Sequence, residues 1–391
     1  MASLKNTILN EKTKNSSSIT MYAVGDVLPE RDDPNESFDK VRNTLRQGDI
    51  SFCQLEANIS ERGTRLPQAR HTTRLKKESA TAIANAGFNV VSFAGNHCMD
   101  WGKEAFFDTI DALKEEKIQV VGVGENIDVA RRPTIKDVNG TKIAFIAYSS
   151  ILPQSYWAEA DRPGCAPMRA HTLYEQIEHD QPGTPCRTHT FAHREDLAAL
   201  IKDIETAKQQ ADVVVMSIHW GIHFIPAVIA DYQKEVAHVA IDHGVNLILG
   251  HHAHILKGIE VYKGVPIFYS LCNFATDLTM TPEHAESKGF KEIQGLHPEW
   301  IPDFDSRYNF PPDSRKSMVV KVKLDSKKIS RVSFLPTYID TQAIPEILKK
   351  DDSRFNEVTE YLKDISYSQH FKPNFIKEGD EIVIDLDDTI K

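Results

Sequence analysis

A chain of 391 residues, 41% hydrophobic and 26% charged, can bury a large core and has the make-up of a soluble globular protein of one large domain or two smaller ones. A formal net charge of -10 excludes the basic field that bulk nucleic-acid or anionic-membrane binding needs, though not a locally cationic, metal-lined pocket for an anion. Five scattered cysteines without a Cys-x-x-Cys pair fit reduced thiols; no run is apolar enough to span a bilayer or act as a secretory signal, so a cytoplasmic protein is expected.

Residues 1–17 are polar and read as a flexible N-terminal segment. Ile19 to Val24 is a β-rich run stopping at Gly25-Asp26, and Ser37 is placed to cap a helix bearing Phe38, Val41 and Leu45, ending near Gly48. Asp49 to Leu55 is the next strand and runs into Glu56, followed by a Gly/Arg-rich loop from Ser60 to Arg74. A short helix over 78–86 precedes Phe88 to Ala94, which leads into Gly95-Asn-His-Cys-Met-Asp-Trp-Gly102, and a further helix covers Lys103 to Glu116. Strands follow at Gln119 to Val123 and Ile143 to Ser149; residues 151–193 lose all periodicity and read as an excursion over the site.

Arg194 to Gln210 predicts a helix, Asp212 to Ile218 a strand reaching His219, and Asp231 to His243 a helix stopped by Gly244. The apolar run at 247–249 ends in Gly250-His-His-Ala-His254, where an extended backbone would turn His252 and His254 the same way and His251 the other. Gly258 to Ser270 predicts an antiparallel hairpin, 275–314 a second irregular excursion, and Met318 to Leu335 another hairpin. A helix near Phe355 to Leu362 and a last apolar run at 381–386 form a C-terminal β/α appendage, 341–391, packed on one α/β domain over 18–340.

Oxygen and nitrogen ligands are thus delivered from five strand ends: Asp26, Glu56, Asn96 with His97, His219, and the histidine cluster. Each has a plainer reading. Asp26 can cap a turn, Glu56 can pair with Arg62 or Arg65, and His219 can pack on Trp220; chance turn residues would not recur at five strand ends.

Taken in order, Gly25-Asp26, Leu55-Glu56, Gly95-Asn96-His97 with Asp100-Trp-Gly102, Ser217-Ile-His219-Trp-Gly221, Gly250-His-His-Ala-His254 and Tyr269-Ser-Leu-Cys-Asn-Phe274 resemble the CapA family of capsule and poly-γ-glutamate biosynthesis, itself similar to calcineurin-like metallophosphoesterases. The resemblance implies a four-layer α/β/β/α sandwich with mixed sheets and a dinuclear centre of Mn, Fe or Zn. Two such ions can share a hydroxide nucleophile and hold an oxyanion. By residue-by-residue carry-over Glu56 bridges the ions, Asp26 and His254 bind the first, and Asn96, His219 and His252 the second. His97 is then a proton donor or charge stabiliser, oriented by Asp100.

Two departures from the pattern bear on the chemistry. The superfamily's Asp-x-His is Asp26-Val-Leu28 here, which leaves the first ion a weaker site, and the family's Trp-Gly-x-Glu is Trp220-Gly-Ile-His223, placing an imidazole where a carboxylate is usual. Cys272 stands in a glycine position and reads as a buried small thiol. Substrate contacts are expected from Arg70, Arg74, Arg162, Trp157, His223 and His251. The implied activity is hydrolysis of a small anionic substrate, either a phosphoester or an amide or ester such as a γ-glutamyl linkage; the alternative is an accessory role in polymer synthesis.

Overall fold

The computed structural model describes residues 18–69 and 73–387; residues 1–17, expected to be a flexible segment, and Arg70 lie outside the described residues. Two sheets face each other. In the first, Ile19–Leu28, Ile50–Leu55, Val90–Ser92 and Gln119–Val121 run parallel, while Lys316–Asp325 and Lys328–Ile339 continue antiparallel on the other side of Ile19–Leu28. In the second, Thr141–Ser149, Val213–His219, Leu247–His251 and Val265–Phe268 are parallel, with Thr134–Val138 and Ile259–Tyr262 as antiparallel edges. Both sheets are mixed.

Alternation explains why these segments layer as they do. Along the strand Val213–His219, Val213 and Val215 join the core between the sheets, whereas Val214, Met216 and Ile218 join a second core beneath the helices Arg194–Gln210 and Asp231–His243. A strand apolar on both faces is one covered on both faces. The Phe52 and Phe145 rings stack across the inter-sheet gap, 5.8 Å apart and 6° from parallel, and burying each contributes about 1.5–3 kcal/mol. The helices Glu78–Ala86 and Gly102–Glu115 send Ile83, Phe106 and Ile110 into the inter-sheet core's cluster. The expected four-layer α/β sandwich is the architecture found.

Several local expectations are corrected. The helix from Ser37 is instead a 3₁₀ turn, Pro34–Phe38, capped by Asp33, followed by one α-turn, Arg42–Leu45; proline at the first position fixes an earlier start and buries Ser37. The Gln119 to Val123 strand breaks at Gly122, whose φ is +87°. The excursion 151–193 contains an exposed hairpin, Ala170–Gln176 with Cys186–Ala192, carrying His171 and His189. The C-terminal residues extend the first sheet: Glu381–Asp385 pairs with Lys328–Ile339, and the helix Ser353–Ser368 packs over that same strand.

Candidate metal centre

Asp26 is carried inside a strand that continues to Leu28, past a bulge where its pairing with Ile50–Leu55 shifts register. Gly25 permits this: a Cβ there would lie 1.8 Å from the Cys272 carbonyl oxygen, which instead accepts the Asp26 N–H at 3.1 Å. Glu56 follows the end of Ile50–Leu55, and His219 is the last residue of its strand. Asp26, Glu56 and His219 are buried and offer ligand atoms all within 4.8 Å of one another.

The histidine cluster is not extended. His252 and His254 take φ values of +86° and +54°, left-handed conformations that cost non-glycine residues about 1–3 kcal/mol and concentrate at functional sites. The ladder ends at His251, and the turn is held by the His252 N–H donating to Asp26 Oδ2 at 3.3 Å. It brings His252 Nδ1 to 3.1 Å from His219 Nε2, which is itself 2.6 Å from Asn96 Oδ1. His254 Nδ1 is 2.7 Å from Asn273 Oδ1 and 3.5 Å from Asp26 Oδ2.

Two contacts separate this site from an ordinary salt-bridge cluster. His219 Nδ1 approaches Glu56 Oε1 to 3.3 Å and His251 Nδ1 approaches Asp26 Oδ1 to 3.2 Å, yet none of these four buried atoms has a hydrogen-bond partner, nor does Glu56 Oε2. Burial, then Asp26, pushes the Glu56 carboxyl well above its usual range; burial holds the His219, His252 and His254 imidazoles below theirs. Neutral imidazoles and unpaired buried carboxylates facing inward form a donor set that a divalent cation satisfies. Neither arginine pairs with Glu56: Arg62 binds Asp108, and Arg65 donates to the Ala69 carbonyl.

Beside the cluster, His97 Nδ1 is 2.6 Å from Asp100 Oδ2, and Asp100 Oδ1 accepts from the buried Tyr156 hydroxyl at 2.8 Å. His97 Nε2 lies 2.8 Å from the Asn96 amide nitrogen, a donor, so the ring fits the Nδ1–H tautomer with Nε2 as acceptor. A cavity bordered by Glu56, His97, Asp100 and His254 has Phe310, Leu278, Thr73 and Asp277 among its walls. His223 joins the cluster, its ring 3.9 Å from that of His252. Other expected substrate contacts do not converge. Arg162 bonds Glu159 and the Gln154 and Trp157 carbonyls, the Arg169 guanidinium covers Trp157, and Arg74 lies over the Trp101 ring. His251 follows the alternation of its strand onto the inter-sheet face of Leu247 and Leu249, in register with His219, and meets Asp26 there; it is the left-handed turn at His252 that brings His252 to the same site. Asn273 and Asp277 were given no role by sequence, though Asn273 lay in a recognisable motif; Tyr156, read as a pocket-lining residue, instead holds Asp100.

Residues 20–278 match the family model described as bacterial capsule synthesis protein PGA_cap. The chain belongs to that family. Among capsule synthesis relatives it is 32% identical over 202 residues to the capsule biosynthesis protein CapA of Bacillus anthracis, covering 52% of this chain and 43% of that one. It is 31% identical to the PGA biosynthesis protein CapA of Bacillus subtilis, covering 51% and 46%. The chain therefore spans less than half the length of those two relatives. A Sinorhizobium fredii protein, y4sH, is 30% identical over 322 residues, 68% of each chain. A crystal structure of the calcineurin-like phosphoesterase YfkN from Bacillus subtilis is similar at 12% identity and a TM-score of 0.39, covering 90% of this chain and 99% of that one. Among the described residues no helix is long and apolar enough to cross a membrane.

Proposed function

We propose that this capsule synthesis family member is a metal-dependent hydrolase of a small anionic substrate. The observation that carries the reading is the close grouping of Asp26, Glu56 and His219 with buried Asp26 Oδ1, Glu56 Oε1 and Oε2, and His219 Nδ1 all lacking a hydrogen bond. With Asn96, His252 and His254 these residues would hold two divalent ions, Mn, Fe or Zn, as carboxylate, amide and imidazole donors suit them. Such ions would lower the pKa of water and neutralise charge developing on the substrate.

The chain's own residues then manage the proton. Asp100, fixed by Tyr156, orients His97 so that Nε2 accepts a proton, and its later release from Nε2 serves the leaving group. Phe310, Leu278 and Leu28 give the cavity apolar walls opposite its polar ones, against which a substrate's apolar part would pack. Five free cysteines support a reducing, cytoplasmic setting. An accessory role in polymer synthesis is the second reading, favoured by the biosynthetic names of the Bacillus relatives.

Metal analysis of protein made in Mn-, Fe- or Zn-supplemented medium, with parallel assays of an aryl phosphodiester, an aryl monoester and γ-glutamyl amides, tests this. Two bound ions and turnover of one class are expected. Fewer than about one ion per chain overturns the metal centre, and silence on all three substrates by metal-loaded protein favours the accessory role.

A further inference from the structure

His251 stands outside the ligand set just proposed. Packing alone does not account for it. The ring is fully buried and lies 6.1 Å from that of Phe52, but neither of its nitrogens has a hydrogen-bond partner. A buried polar group left unsatisfied costs about 1–3 kcal/mol, and a merely packed histidine ordinarily finds a backbone carbonyl for at least one nitrogen. The fold holds the ring there firmly, since His251 ends a parallel strand in register with His219, and Gly250 before it has no room for a side chain because a Cβ would meet the Tyr269 carbonyl oxygen at 2.3 Å.

The group that His251 does face is Asp26. Asp26 Oδ2 takes the His252 N–H, and Oδ1 is the oxygen left over, 3.2 Å from His251 Nδ1 and without a hydrogen bond. Close approach without hydrogen-bond alignment leaves a lone pair on each atom free for a third partner. Two donors bound side by side at about 2.0–2.2 Å from one cation stand about 3–3.5 Å apart for angles of about 90–110° at the metal, and the 3.2 Å found lies in that range. The Glu56–His219 contact, 3.3 Å and equally unaligned, is a second such edge. Leu28, two residues after Asp26, lines the cavity where the sequence pattern leads one to expect an imidazole.

We propose that His251 is a ligand of the Asp26-side metal ion, supplying from the end of Leu247–His251 the imidazole that the first strand lacks. The proposal rests on the metal-centre reading, and the experiment separates the two. Metal-stripped wild type and His251→Ala are titrated with Co2+ alone, following visible d–d absorption and bound metal per chain, with circular dichroism and melting curves as fold controls. Wild type should bind two ions. The variant should bind one of them at least about 100-fold more weakly, a ligand mattering no less than the surrounding groups whose loss costs 10- to 100-fold, with a changed absorption envelope from the lost nitrogen donor. Wild type taking up no Co2+ overturns the metal centre and this assignment with it. Two ions bound by a folded variant with wild-type affinity and absorption overturn the His251 assignment alone. Should His251→Ala not fold, His251→Gln keeps the bulk without the imidazole; an unchanged cobalt spectrum there is equally fatal.

Discussion

Lys257 is a buried ammonium whose polar contacts are the Ile225 and Val228 carbonyls, the latter at 3.0 Å, and burial brings its pKa from 10.5 down to about 7. At 1.36 kcal/mol per pKa unit, that fall corresponds to about 5 kcal/mol of penalty when the amine is charged. Between pH 7 and 10.5 the folded chain carries fewer protons on Lys257 than the unfolded one, so its contribution to stability rises with pH across that window, by about 1.4 kcal/mol per pH unit, and is flat below it. Replacing Lys257 with Met deletes this slope, whatever the variant's absolute stability after losing two hydrogen bonds. Urea unfolding of wild type and Lys257→Met at pH 7 and 9.5 should show wild type gaining about 3 kcal/mol relative to the variant. Parallel pH dependences would refute the reasoning and mean that Lys257 titrates as an exposed lysine. Because those carbonyls belong to the segment carrying His223 and Phe224, the variant should also loosen the His223 ring from His252, readable as altered imidazole chemical shifts.

His97→Ala should retain bound metal and lose about two to four orders of magnitude in turnover; loss of metal with it would make His97 a ligand. The Glu56 carboxyl, raised well above its usual range by burial and by Asp26, makes the metal-free fold lose stability as pH rises past the unfolded value. Chelator-treated Glu56→Gln should therefore melt higher than chelator-treated wild type at pH 7, the gap closing as pH falls toward that value, and it should lose metal affinity; equal melting at pH 7 would contradict a buried unpaired carboxylate. Gly25→Ala forces a methyl against the Cys272 carbonyl, so a cost of more than about 3 kcal/mol is expected in chemical denaturation; a neutral substitution would mean the bulge adapts freely.

The alternation of apolar residues made both sheets legible, because a strand covered on two faces reads as a continuous apolar run, as at 213–218 and 247–249. The metal-capable side chains were legible for the same reason, since a parallel strand delivers its terminal residue to one rim of the sheet. The opposition expected between His251 and His252 is not found, because period-two reasoning assumes extended backbone and the left-handed His252 turns its own ring to the site that His251 already faces. The substrate-facing residues were not legible. Tyr156 reaches Asp100 across 56 positions, and Arg162 and Trp157 are engaged within their own segment; a one-dimensional reading offers no register for such loops.

The strand bearing Asp26 is flanked by Ile50–Leu55 on one side and by Asn273–Thr276 and Lys316–Asp325 on the other. Asp26 is thus seated by residues almost three hundred positions later in the chain. A nascent chain leaving the ribosome therefore cannot assemble the centre piecemeal, and a product truncated before the Lys316–Asp325 strand would leave that edge open to pairing with other chains. On the proposed metal-centre reading, cation capture would wait for the Lys316–Asp325 strand, and metal bound per purified chain would report how many chains had closed that edge.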